Sequence, residues 1–214
     1  MTNRQLPFDL PGRNAMGAGD FVTSASNEAA LTMIEAWPNW PGPALAVHGP
    51  AGCGKTHLGH VWQEKVGAAA LFLDAPTSLP ELPTPPVLIL DEPVLDETAF
   101  FHLLNRVKND GGALLILSRE APARWDVQLP DLASRLKALP TVEVSPPDDA
   151  LLGAVLVKHF TDRQINVAPD VIDYLLRHIE RSFSAAADVA DRLDRAALAE
   201  RKAITIPLVK RVLG

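Results

Sequence analysis

The sequence predicts an α/β fold: a five-stranded, mostly parallel sheet flanked by helices, followed by a small all-α domain. Three observations carry that expectation. Short apolar runs alternate with helical stretches through the first two thirds of the chain. Three of those runs are apolar almost throughout, as parallel strands buried on both faces must be. After Pro146 and Pro147 the strand pattern stops and only helical periodicity remains.

Taken in order, residues 1–19 carry Pro7, Pro11, Gly12, Gly17 and Gly19 and read as an extended arm. Residues 26–37 predict a helix with Ser26 or Asn27 as its N-cap, closed by Pro38, Pro41 and Pro43. Strands are expected at 44–49, 69–74, 87–92, 113–118 and 141–144, with helices between most of them, notably 55–66 and 97–109. A proline-rich connector, 75–86, joins the second and third strands. Helices follow at 148–162, 169–180, 184–201 and 206–213; Val171, Ile172, Leu175, Leu176 and Ile179 keep helical spacing on one face. The expected organisation is therefore an arm over 1–19, an α/β core over 20–147 and a helical unit over 148–214.

Composition narrows the function. The 214 residues are 47% hydrophobic with a formal net charge of −6. That balance argues against a protein that grips duplex DNA through many phosphate contacts. The single cysteine, Cys53, cannot form an intrachain disulfide and fits a reducing compartment. The N-terminus lacks the apolar core of a signal peptide. No run approaches the ~20 apolar residues of a membrane helix. A cytoplasmic protein is expected. The histidines are scattered, without metal-ligand spacing.

The sharpest motif is GPAGCGKT at 49–56, which satisfies the P-loop pattern and lies between an apolar run and a helical one. Gly49, Gly52 and Gly54, with Pro50, Ala51 and Cys53 as filler, let backbone N–H groups curl around phosphates. The following helix adds its N-terminal donors. Lys55 is placed for the β- and γ-phosphates and Thr56 for Mg²⁺. VLILDE at 87–92 ends a strand in two acids, where Asp91 would hold the Mg²⁺ shell and Glu92 would polarise a water. ATP or ADP with Mg²⁺ is the expected ligand. His57 either touches the nucleotide or packs on the lid. Trp37, Trp40, Trp62 and Trp125 are expected to pack, not to stack bases.

GKTHL at 54–58, FFHLLN at 100–105, LLILSREAP at 114–122, LPDLASRL at 129–136 and DFVTSASNEAA at 20–30 together resemble the AAA+ domain of the replication initiator DnaA. No helix-turn-helix domain is expected before the chain ends at Gly214. Residues 75–86 are too short for the initiator's single-stranded-DNA insertion. The remaining pattern is similar to the Hda family, the DnaA-homologous regulatory inactivators of DnaA.

The resemblance implies an arginine finger at Arg135, working in trans on ATP bound to DnaA and thereby preventing over-initiation. It also implies a nucleotide contact at Ser118 on the sensor strand and an adenine pocket near Phe21 and Val22. QLPFDL at 5–10 resembles the motif that docks on the replicative sliding clamp, with Gln5 on a polar spot and Leu6, Phe8 and Leu10 in an apolar groove. Homo-oligomerisation is left open.

Two departures bear on chemistry. Arg119 stands where the initiator has Asp, and Ser184 stands where its lid carries a sensor arginine, with Arg181 or Arg192 as substitutes. Losing that cation predicts weak self-hydrolysis and tolerance of ADP. The alternative to a regulatory partner is a self-contained ATPase, such as a helicase-loader-like protein acting on single-stranded DNA.

Overall fold

The computed structural model describes residues 21–67 and 70–214. The arm residues Gln5, Leu6, Phe8 and Leu10 lie outside that range.

The first half alternates as the apolar runs require: α1 (Glu28–Glu35), β1 (Ala44–His48), α2 (Lys55–Val66), β2 (Leu71–Asp74), β3 (Val87–Asp91), α3 (Glu97–Asn109), β4 (Ala113–Ser118), α4 (Pro130–Ala138) and β5 (Thr141–Glu143). The five strands pair in parallel in the order β2-β3-β4-β1-β5. Alternation along each strand splits the core in two. Leu45, Val47, Ile89, Leu115 and Leu117 face α1 and α2, where Trp62 is fully buried against Trp40 and Trp37. Ala44, Ala46, Leu88, Leu90, Leu114 and Ile116 face α3 and α4, where Phe100, Leu103, Leu132 and Leu136 are buried. The tryptophans therefore pack, and Trp125 sets its ring edge-on to Phe100 at 5.7 Å.

The proline-rich connector is no loose loop. Leu79 and Leu82 pack into the second core layer, and Arg106 donates to Leu82 O at 2.9 Å. Among the expected boundaries, α1 starts at Glu28. Asn27 is its N-cap residue, yet its side chain serves the entering turn instead: Oδ1 accepts from Ser24 N and Nδ2 donates to Val22 O.

The second half is helical throughout: α5 (Asp149–Asp162), α6 (Pro169–His178), α7 (Phe183–Glu200) and α8 (Ile206–Leu213). They share a separate apolar cluster that includes Leu156, Phe160, Leu175, Leu193 and Val209. Asp148 and Ser182 cap α5 and α7 through their side chains.

Gly59 sets how closely α2 approaches the sheet. A Cβ there would lie 2.8 Å from Leu117 Cδ1 and 2.9 Å from the Phe72 ring. Gly59→Val should overpack this layer and cost about 1–3 kcal/mol in urea unfolding. In the lid, burial first and Arg163 second push the His159 imidazole below its ordinary 6.5. Below 6.5 the unfolded chain takes a proton that the folded one refuses. The stability this group contributes is thus complete above 6.5 and is lost as pH falls through the lowered folded value. His159→Gln should flatten the pH dependence of the thermal midpoint in that window.

Candidate functional site

Parallel pairing brings the carboxyl ends of β1, β3 and β4 to one edge: His48 stands opposite Ser118, and Asp91 opposite Leu117. Three turns leave from that edge. The turn after β1 is the 49–56 loop, in which Gly52 and Gly54 hold φ of 70° and 102°, conformations that side-chain-bearing residues rarely adopt. The loop ends on α2, whose N-terminus carries no side-chain cap. Its first N–H groups thus remain donors for an anion.

Lys55 is buried, 6% exposed, and its ammonium donates to Gly49 O at 2.9 Å and Pro50 O at 3.1 Å, with Glu92 Oε1 3.5 Å away. Thr56 Oγ1 donates to Asp91 Oδ2 at 2.6 Å. The two strongest motifs in the sequence, 35 residues apart, therefore meet side chain to side chain. Burial, the largest cause, raises the Asp91 carboxyl above its ordinary range, and Glu92 and Asp74 push the same way against the Thr56 hydrogen bond and Lys55.

A hydroxyl beside one buried carboxylate suits Mg²⁺, which takes one or two protein oxygens and fills the rest of its octahedron with water and phosphate. Among the described residues no group of three His, Cys, Asp or Glu side chains could hold a metal alone. Thr56 and Asp91 are the pair that would carry it, with phosphates completing the shell.

Several expected residues take more specific places. Cys53 is buried, and burial raises its thiol above the ordinary value despite Lys55 nearby, so it is a packed filler and a poor nucleophile. His57 sets its ring edge-on to Phe21 at 5.2 Å, and Val22 is exposed beside them. The Ser118 hydroxyl donates to Glu120 O at 2.7 Å, a bond that would have to open before that proton could serve a nucleotide.

The lid meets the loop directly. Phe183 N donates to Gly52 O at 2.8 Å, and a Cβ on Gly52 would fall 2.6 Å from Ser184 Oγ. Ser184, where the resemblance would place a sensor arginine, thus sits over the 49–56 loop. Arg181 pairs with Asp149, and Arg192 with Asp188 and Val212 O, so both candidate substitutes are engaged within the lid.

Arg135 lies on α4, on the opposite sheet face from α2. Its guanidinium stacks over Phe101 of α3 at 4.5 Å. Among the described residues it makes no ion pair with Asp131. Glu97 fixes the start of α4 by accepting from Gln128 N at 2.8 Å and Leu129 N at 2.6 Å. Sequence reasoning missed Glu97, since its partners lie 31 and 32 residues away and carry no motif. It also missed Asp74, although β2 ends in an acid just as β3 does, in register with Asp91.

A raised Asp91 has a stability cost. Between the ordinary 3.8 and the raised folded value, the folded chain keeps a proton that the unfolded chain has lost. Stability falls as pH rises through that window and stays lower above it. Asp91→Asn, which retains an acceptor for Thr56, should raise the metal-free thermal midpoint at pH 7 by about 2 °C or more and remove any Mg²⁺-dependent stabilisation by ATP.

Comparison with known proteins agrees with this architecture. Residues 149–213 match the family model of the Hda lid domain. Over 119 residues the chain is 31% identical to an uncharacterised protein of Haemophilus influenzae, covering 55% of this chain and 52% of that one. The chain thus spans about half the length of that curated relative. Domain III of the Thermotoga maritima replication initiation protein DnaA superposes with a TM-score of 0.75 at 15% identity, covering 95% of this chain and 98% of the other. AMPPCP-bound DnaA from Aquifex aeolicus gives 0.65 at 19% identity, over 88% and 69% of the two chains. The Thermotoga maritima RuvB branch migration motor gives 0.74 at 14% identity, over 92% and 70%. Residues 149–213 thus match the Hda lid domain, and the chain as a whole, with its 5-stranded parallel sheet, shares the fold of domain III of DnaA.

Proposed function

We propose that this protein is a nucleotide-bound regulatory partner of the initiator DnaA, which docks on the sliding clamp and supplies Arg135 to ATP held by DnaA. ADP or ATP with Mg²⁺ would occupy the 49–56 loop, with Thr56 and Asp91 at the metal and Lys55 at the phosphates. Gln5, Leu6, Phe8 and Leu10 would make the clamp contact.

The placement of Arg135 carries the reading. It stands on the sheet face opposite the chain's own phosphate-loop helix, held by an aromatic ring instead of an acid. A guanidinium so held remains charged and half-exposed, able to meet a γ-phosphate on a neighbouring protein. Fingers of this kind are worth roughly 10³–10⁵ in rate in GTPases. The chain's own site reads as a scaffold: Ser184 offers no cation over the loop, and nucleotide bound there would set how α7 rests on Gly52 and so the angle between core and lid. A self-contained ATPase, such as a helicase-loader-like protein, is the competing reading; the set Lys55, Thr56, Asp91 and Glu92 serves both.

The two are separated by following radiolabelled ATP on DnaA with and without this protein and DNA-loaded clamp. The protein should speed conversion of DnaA-bound ATP to ADP. Arg135→Ala should abolish the effect while leaving nucleotide binding to this chain intact, and Gln5→Ala should weaken it only when clamp is required. Rapid ATP turnover by this chain alone, with DnaA unaffected by Arg135→Ala, would sink the regulatory reading.

A further inference from the structure

We infer that Glu97 is a positioning residue for Arg135: from the first turn of α3 it clamps the start of α4 and so sets where the guanidinium stands. The inference rests on the reading of Arg135 as a finger offered to ATP held by DnaA.

A helix start leaves backbone N–H groups without intrahelical partners, and a capping side chain ordinarily takes one of them. α4 brings no such cap of its own. Leu129 stands at its N-cap position with an apolar side chain, and Pro130 follows as the first helical residue. The acceptor comes from another helix. Glu97 Oε1 accepts from Gln128 N at 2.8 Å and Oε2 from Leu129 N at 2.6 Å. Both oxygens of one carboxylate thus hold two consecutive peptide groups, which fixes the direction in which the chain enters α4 as well as its position. The negative charge also lies at the positive end of the α4 dipole.

Glu97 is itself firmly seated. It is the first residue of α3 and follows Asp96, whose side chain caps that helix by accepting from Ala99 N at 2.9 Å. One turn further along, Phe101 carries the Arg135 guanidinium at 4.5 Å. Residues 97 and 101 stand four apart on α3 and so share a face. α3 therefore holds α4 at two points, a polar clamp at its start and an aromatic ring under its sixth residue.

The rest of the α3–α4 contact is apolar: Leu132 and Leu136 bury in the layer that holds Phe100 and Leu103. That packing keeps α4 on the sheet but leaves it free to pivot, since apolar contacts carry little direction. The helix has 9 residues, so a small turn at its entry moves Arg135 relative to a phosphate on a neighbouring protein. A misplacement of about 1 Å can cost a reaction about 10²-fold. Loss of the clamp should therefore act on rate more than on association.

The test follows radiolabelled ATP on DnaA with DNA-loaded clamp while the full chain is titrated. It reads the maximal conversion rate and the concentration that gives half of it, with affinity for a fluorescent ATP analogue as the check on folding. Glu97→Ala should lower the maximal rate about tenfold, with the half-maximal concentration and the analogue affinity within about twofold of the parent. Glu97→Gln, which keeps one carbonyl acceptor, should recover part of the rate. If Arg135→Ala abolishes conversion, a Glu97→Ala maximal rate within about twofold of the parent, or a loss seen only in the half-maximal concentration, overturns the inference and leaves the finger standing. Should Glu97→Ala fail to bind the analogue, Glu97→Gln decides, and a parental maximal rate there overturns the inference. Conversion that Arg135→Ala leaves unchanged overturns both.

Discussion

Parallel pairing of β1 and β3 on either side of β4 is the constraint on which the rest of the molecule depends. Parallel strands place all their carboxyl ends at one edge, so turns far apart in sequence must open side by side. The Thr56–Asp91 hydrogen bond, the Lys55–Glu92–Arg119 contacts and the Gly49–Ser118 backbone bond are all consequences of that register. The same pairing requires both faces of the sheet to be covered, which fixes α1 and α2 on one side and α3 and α4 on the other. It thereby separates the phosphate-loop helix from the helix that carries Arg135.

The price of that arrangement is local. Asp91 is buried where desolvation and two neighbouring acids oppose its charge, and Glu92 holds a left-handed backbone conformation that non-glycine residues usually avoid. Both lie at the edge where Thr56 and Asp91 could hold a cation, which would favour the Asp91 carboxylate. Strain and unfavourable charge are thus concentrated at one edge of an otherwise regular sheet. The lid contributes through a narrow contact, Phe183 and Ser184 against Gly52 and Gly54, where the glycines leave no side chain to hold the helix away.

The comparisons and the geometry agree on the fold, and the family match falls on the lid. The segment matched as an Hda lid is the one that buries its own apolar cluster. The sheet with its three edge turns superposes on initiator and motor domains at low identity. On that frame the chain sets Arg119 beside Glu92, Ser184 over the loop and Arg135 on the Phe101 ring.

Much of the fold was legible in the sequence, because its signals are local. Apolar runs of strand length, helical periodicity after Pro147 and the GPAGCGKT loop each report a conformation that nearby residues enforce. The helices at 55–66, 97–109 and 206–213 were located to the residue for the same reason. Contacts that cross the sheet were not legible. Nothing in REA at 119–121 states that Arg119 reaches an acid 27 residues earlier, and nothing in ETAFF at 97–101 states that Glu97 and Phe101 hold the helix that carries Arg135. The sequence by itself determined which elements form and that two motifs belong to one chemistry, since propensity and periodicity act over a few residues. Only the tertiary structure decided which side chains face each other at the shared edge, because that depends on strand order and register, to which residues distant along the chain contribute together.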